Sequence, residues 1–297
     1  MLPPAQDPTA HYRRDLERLG YRMLGSWADA EDIAQESLLR WHKLTPEQQA
    51  EIREPLAWLR TAASRISLDR LKSAQHQRET YVGPWLPEPL LTDEHSPADQ
   101  ASIEDSITYA LLHAMERLSP TERAAFILHD VFDYSFPQIA DILKKEEANC
   151  RQLASRARRA LRAEKAKRPV EPESHQQLLT AFLAAAEARD AQTLESLLAQ
   201  DATLYSDGGK LAKAARRPLH SSEIITRLFL GLSRKAKKTG LRYEVQLKQI
   251  NGQPTALIYN GNQLETVLFI TIQNQKIATI YQQRNPEKLR HLLKQLG

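Results

Sequence analysis

The chain has 297 residues and a net charge of +4, room for two or three domains and compatible with nucleic acid without demanding it. Its single cysteine excludes a disulfide framework and a cysteine-based zinc site, and the scattered histidines show no ligand spacing, so neither metal nor cofactor is expected. No apolar stretch approaches the roughly 20 residues that span a bilayer. The start Met1-Leu-Pro-Pro-Ala-Gln-Asp7 lacks the basic and apolar runs of a signal peptide, so a cytoplasmic protein with no membrane partner is expected.

Residues His11 to about Ser73 read as helical. Tyr12, Leu16, Leu19 and Met23 share one side of a first helix, which Gly25-Ser26 ends. A second helix runs from Asp29, taken as its cap, to Lys43. It turns Ile33, Ala34, Ser37, Leu38 and Trp41 inward and leaves Asp32, Gln35, Glu36, Leu39 and Arg40 outward. A polar loop with Pro46 is expected next, then a helix from Pro55 to Lys72 carrying Trp58, Thr61, Ser64 and Arg65, with Arg60, Arg70 and Lys72 adding charge. From Gln75 to Gln100 the pattern breaks at Gly83-Pro-Trp-Leu-Pro-Glu-Pro89, where each proline removes a donor. Trp85 is expected to dock on a neighbouring domain. Helix resumes near Ser102, with Ile107, Ala110, Leu111, Ala114 and Met115 on one face.

Ser135 to Leu161 reads as two helices joined by a tight turn. Pro137 lies in the first turn, where a missing N–H costs nothing. Ile139, Ala140, Ile142 and Leu143 give the first helix an apolar side, and Cys150, Leu153, Ala154, Ala157 and Leu161 give the second a narrow stripe. The opposite face holds Asn149, Arg151, Gln152, Ser155, Arg156 and Arg159, side chains suited to base edges and phosphates in a major groove. Cations from Arg158 through Lys165, with Lys167 and Arg168, are suited to backbone phosphates. The same stretch also reads as a plain helical hairpin with a solvated basic face. Lys144 and Lys145 stand where glycine is easiest; a left-handed non-glycine residue there costs about 1 kcal/mol.

Beyond Pro169-Val-Glu-Pro172 the grammar changes. Gln176–Ala188 and Ala191–Ala199 read as amphipathic helices, Ala202–Ser206 as extended, Asp207-Gly-Gly as a loop, and Ser221–Leu232 as helix. Strands are expected at Leu241–Ile250, Thr255–Tyr259, Gln263–Gln273 and Lys276–Gln283, with Asn251-Gly252 and Asn260-Gly261 as hairpin turns in a curved antiparallel meander. Asn285-Pro-Glu-Lys-Leu289 opens a last helix.

Asp29-Ala-Glu-Asp-Ile-Ala-Gln-Glu-Ser-Leu-Leu-Arg-Trp41 resembles region 2 of the extracytoplasmic-function sigma factors, and Ser64-Arg-Ile-Ser-Leu-Asp-Arg-Leu-Lys-Ser-Ala74 resembles the segment that follows it. Leu118-Ser-Pro-Thr-Glu-Arg123 with the helix-turn-helix resembles region 4. Tyr81-Val-Gly-Pro-Trp-Leu-Pro-Glu-Pro89 is similar to the linker of the subgroup with a fused SnoaL-like C-terminal domain, Asn285-Pro-Glu-Lys-Leu289 to its terminal motif, and Asp207-Gly-Gly-Lys210 to a third motif usually written with one more glycine.

The resemblance implies a multidomain protein: two all-α domains, a region 2 helical bundle and a region 4 helix-turn-helix, followed by an α+β SnoaL-like cone-shaped barrel. The implied boundaries are 1–75 for region 2, 76–105 for the linker, 106–168 for region 4, 169–175 for a second linker and 176–297 for the last domain. Its implied partners are the β and β′ subunits of RNA polymerase core, met by Asp32, Gln35, Glu36, Leu39 and Arg40, and promoter DNA. Trp58, Thr61, Ser64, Arg65 and Arg70 would meet the −10 element. Asn149, Arg151, Gln152, Ser155, Arg156 and Arg159 would meet the −35 element. Regulation by the attached domain would rest on Trp85, Leu86, Pro87, Glu88, Pro89, Asp207, Gly208, Gly209, Lys210, Asn285, Pro286, Glu287, Lys288 and Leu289.

Other readings stay open. The last domain reads also as a small-molecule sensor, or as a cyclase- or isomerase-type enzyme with Asp207 and His220 as acid–base groups. A plain helix-turn-helix repressor leaves the region 2 match unexplained.

Overall fold

The computed structural model describes residues 10–91, 108–162 and 171–297. They form two compact units, one of the chain up to Thr80 with Ala114–Arg162, the other of Tyr81–His113 with the chain beyond Arg162. The helix expected near Ser102 and Ile107, the cations Lys165, Lys167 and Arg168, and the Pro169 boundary lie outside the described residues.

The first unit opens with α1 (Arg13–Leu24), which buries Leu16, Leu19 and Met23 and ends at Gly25 in the left-handed region. Then comes α2 (Trp27–His42), with Ile33, Ala34, Ser37, Leu38 and Trp41 buried as the spacing predicts. Its cap is Ser26, whose Oγ accepts from the Asp29 N–H; Asp29, the expected cap, sits inside the first turn. Where a polar loop is expected, Thr45 and Gln48 form a capping box and close a short helix, α3 (Pro46–Glu51). The next helix, α4 (Pro55–Glu79), runs beyond the break expected at Gln75. Arg78 near its end donates to the Leu24 carbonyl at 2.7 Å and pairs with Glu116, which also holds the buried Arg123. This polar anchor lies beyond the apolar pattern that marks the helix in sequence.

After α5 (Tyr109–Ala114) and a 3₁₀ turn come α6 (Pro120–Asp130), α7 (Phe136–Leu143) and α8 (Glu147–Ala160). Ser119 and Glu122 form a capping box on α6. Lys144 adopts φ 52°, so the turn keeps its left-handed residue without glycine. The α8 stripe of Cys150, Leu153, Ala154 and Ala157 is buried, and Leu161 continues it.

The second unit runs α9 (Pro172–Ala188), α10 (Ala191–Leu197), β1 (Leu198–Asp207), β2 (Leu219–His220), α11 (Ser222–Thr239), β3 (Tyr243–Ile250), β4 (Gln253–Asn260), β5 (Gln263–Gln273), β6 (Lys276–Gln283) and α12 (Pro286–Leu296). Sheet order is β2-β1-β6-β5-β4-β3. The β3–β6 meander is antiparallel as expected, but β1 lies parallel to β6, so the sheet is mixed. A parallel neighbour needs a long crossover, which the intervening helix and strands supply.

The turns follow the register. Asn251 and Gly252 both have positive φ between Ile250 and Gln253. In the next hairpin Asn260 pairs with Gln263, so the loop is Gly261-Asn262, one residue on from expectation. A third tight turn, Asn274-Gln275, also has φ positive at both positions and carries no glycine to announce it.

Both sheet faces are covered. Leu268, Ile270 and Ile280 join the α9, α10 and α11 side. Val267, Phe269 and Tyr281 join Leu86, Tyr109, Leu289 and Leu292 on the other. Leu86 and Tyr109 come from the 81–113 segment, and Tyr109 stacks on Phe269 with ring centroids 3.8 Å apart. In α5 the fully buried positions are Tyr109 and Leu112, while Leu111, expected on the inner face, is half-buried.

Candidate functional site

On α2 the outward face is as the period predicts: Asp32, Gln35, Leu39 and Arg40 are exposed, Leu39 at 51%, with Glu36 half-buried. An apolar residue that open between charged neighbours is suited to docking against another protein. Glu36 and Arg40 pair one helical turn apart at 2.6 Å.

On α4 the expected strand-reading set divides. Trp58 is half-buried, edge-on to Trp41 with centroids 5.5 Å apart. Thr61 donates to the Ala57 carbonyl. Ser64 is fully buried, its hydroxyl donating to the Arg60 carbonyl at 2.7 Å. Arg65 pairs with Asp141 of α7 at 2.8 Å, and Arg70 bridges Asp29 and Asp32 at 3.2 Å each.

On α8 Asn149, Arg151, Gln152, Ser155, Arg156 and Arg159 are all exposed along one face. Arg151 lies 4.6 Å from the Phe136 ring centroid and pairs with Glu147, so it is pre-positioned. Arg156 and Arg159 have no ion-pair partner among the described residues. Arg158, expected to add to the phosphate-binding run, instead donates its Nε–H to both carboxylate oxygens of Asp130, at 2.9 and 3.1 Å.

In the second unit three distant motifs meet at one carboxylate. Asp207, fully buried at the end of β1, accepts the Tyr81 hydroxyl at 2.7 Å and the Gly209 N–H at 3.0 Å on Oδ1. Its Oδ2 accepts the Leu86 N–H at 2.9 Å and Lys288 Nζ at 2.7 Å. Lys288 also donates to the Leu86 carbonyl at 2.6 Å and lies 4.0 Å from the Trp85 ring centroid. Trp85 therefore docks within its own unit, on the terminal motif.

Asn285 caps α12 through the Glu287 N–H and donates Nδ2 to the Tyr81 hydroxyl. Burial first, then the Asp207 charge, pushes the Tyr81 phenol well above its ordinary pKa, keeping it a proton donor. The glycines are required by close approach. A Cβ on Gly208 would meet the Ala212 carbonyl oxygen at 2.2 Å, and one on Gly209 the Asn285 amide at 2.6 Å.

Of the predicted regulatory residues, Leu86, Pro87, Pro89, Asp207, Gly208, Asn285, Lys288 and Leu289 are buried here. Trp85, Glu88 and Gly209 are half-buried. Pro286 and Glu287 stay exposed in the first turn of α12, and Lys210 is exposed. Three participants were outside the predicted set. Tyr81 stood in the quoted linker motif; Gln283 donates to the Pro87 carbonyl at 3.0 Å and Tyr109 to the same oxygen at 2.9 Å. Gln283, two residues before Asn285, and Tyr109, in a helix assigned to another domain, offered no local signal.

The acid–base pair suggested by Asp207 and His220 does not form. Asp207 is saturated by four donors, and His220 is exposed, bonded to Thr203 across β2 and β1. Among the described residues no group of three metal ligands gathers, and no helix is long and apolar enough to cross a membrane.

The Sigma-70 region 2 family model matches residues 9–77 and the Sigma-70 region 4 model residues 108–161. The chain belongs to the ECF RNA polymerase sigma factors. It is 37% identical over 286 residues to the ECF RNA polymerase sigma factor SigJ of Mycobacterium tuberculosis, covering 93% of this chain and 90% of that one. It is 31% identical over 295 residues to the probable ECF sigma factor SigI of the same species, covering 96% and 95%. The crystal structure of SigJ superposes with a TM-score of 0.74 at 34% identity, over 94% of this chain and 96% of that one. The α+β unit is thus part of the shared architecture.

Proposed function

We propose that this sigma factor binds RNA polymerase core through the exposed face of α2, engages the −10 element through Trp58, Thr61, Arg65 and neighbouring cations of α4, and reads the −35 element with α8. Asp32, Gln35, Glu36, Leu39 and Arg40 form the core contact. Asn149, Arg151, Gln152, Ser155, Arg156 and Arg159 enter the major groove. Arg65 and Arg70 are held by carboxylates and must exchange those partners for phosphates. This places the protein with polymerase in the cytoplasm. The observation that carries the reading is the 37% identity to an ECF sigma factor across nearly the whole chain.

The C-terminal unit regulates this activity through the Asp207 node, which ties the linker to the terminal helix. Both promoter elements must be engaged at once, so a change in how the linker is held changes activity steeply. A small-molecule ligand for this unit is part of the same reading.

In vitro transcription with core polymerase tests both parts, comparing the full chain with N285A and W85A. Promoter-specific initiation is expected from all three, at different levels. No specific initiation from the full chain overturns the sigma reading; equal output from all three overturns regulation by the node.

A further inference from the structure

Beside the node, the 208–216 segment and the linker turn border a half-open cavity of about 410 Å³, lined among others by Val82, Gly83, Ser206, Lys210, Lys213 and Arg216. No carboxylate lines it, and none of its three cations pairs with a described residue. The loop is fixed in place: the Ala212 N–H bonds the Gly208 carbonyl at 2.9 Å, Arg284 donates to the Lys213 carbonyl, and Gly83 packs on the Arg216 backbone.

Three like charges on a convex loop would be an ordinary solvated face. Around a concavity, on a braced backbone, they concentrate positive potential at one point. We propose that this cavity binds a small organic phosphate of about mononucleotide size. Arg216 offers the planar fork that matches phosphate oxygens, Lys210 and Lys213 supply point charge, and Val82 with Leu211 and the loop alanines faces the apolar body. The volume lies within the roughly 300–1,000 Å³ range of small-molecule sites. It admits a mononucleotide and excludes a duplex.

Its location gives the ligand leverage. Val82 and Gly83 lie just before Trp85 and Leu86, and Gly208 and Gly209 just after Asp207. A ligand touching both segments binds the docked linker better than the released one, and so shifts the node toward closure. The inference deepens the regulatory reading above and rests on it for its consequence, but not for the binding itself.

Titration calorimetry of the full chain without polymerase tests the site, using inorganic pyrophosphate and adenosine 5′-monophosphate at constant ionic strength. Saturable binding of one molecule per chain is expected, weakened at least tenfold in K213A/R216A. The same charge change on α11, K235A/K238A, is expected to leave affinity unchanged. No saturable heat from either probe, or equal weakening in the two variants, overturns the site. The second arm is transcription with saturating adenosine 5′-monophosphate, expected to change output for the natural chain and not for K213A/R216A. Binding with unchanged transcription supports the site and overturns only its coupling to the node.

Discussion

The outer face of α8 and the Asp207 node use charged side chains in opposite ways. On α8 the cations are exposed, adjacent in sequence and carried on one helix. At the node a buried lysine and carboxylate come from segments 81 residues apart, and the linker amide from 121 residues away. An exposed cation contributes little to folding and is free to bind something else. A buried pair is costly to break because the surviving partner is stranded without water. The first design suits recognition and the second suits holding segments together.

The sharpest way to break the contrast is D207N, which leaves Lys288 buried without its counter-charge; a loss of about 3–5 kcal/mol is expected in denaturant unfolding of the second unit. L86A opens a void beneath the linker and is expected to cost about 2–5 kcal/mol by the same measurement. On the other side, R156A/R159A is expected to leave unfolding unchanged. In a salt series of promoter binding it is expected to lose about 1–3 kcal/mol per base contact removed and to lower the salt slope by about one per phosphate contact.

S64A sharpens the division within α4. It removes one internal hydrogen bond, worth about 1 kcal/mol of stability, and is expected to leave opening of the −10 element unchanged in a permanganate-footprinting comparison with W58A.

A smaller effect comes from His175, buried with Nε2–H donating to the Ile270 carbonyl. Burial lowers its pKa below the ordinary value, the carbonyl contact only partly opposing this, so the unfolded chain takes up the proton first. The contribution of the neutral ring is complete above about pH 6.5 and is lost as the pH falls from there through the lower folded value. Thermal unfolding of the second unit is expected to weaken on acidification, and H175Q to flatten that slope.

Much of the first unit was legible because a helix buries what its period dictates: Ile33, Ala34, Leu38 and Trp41 on α2, and the Cys150 to Leu161 stripe with α8. The end of α4 was not, because Arg78, Glu116 and Arg123 join residues that are far apart in sequence. Ser64 shows a further limit, since a hydroxyl satisfied by the carbonyl four residues back is compatible with burial and carries no mark of it. The strand at Gln263–Gln273 was legible from its apolar and β-branched residues. That pattern could not say that Leu86 and Tyr109 would cover one face of the sheet. The motif glycines and Asp207 stood out in sequence, whereas their closure around Tyr81, Gln283 and Lys288 is long-range geometry.

The covering of the sheet by Leu86 and Tyr109 has a consequence during synthesis. Lys288 follows Leu86 by 202 residues, about 10–40 s of translation at 5–20 residues per second. The region 2 helices have left the ribosome before that interval begins, and those of region 4 follow within it while Leu86 and Tyr109 await their partners. The helices of both sigma regions are thus complete before the linker motif and the α12 motif can close on each other.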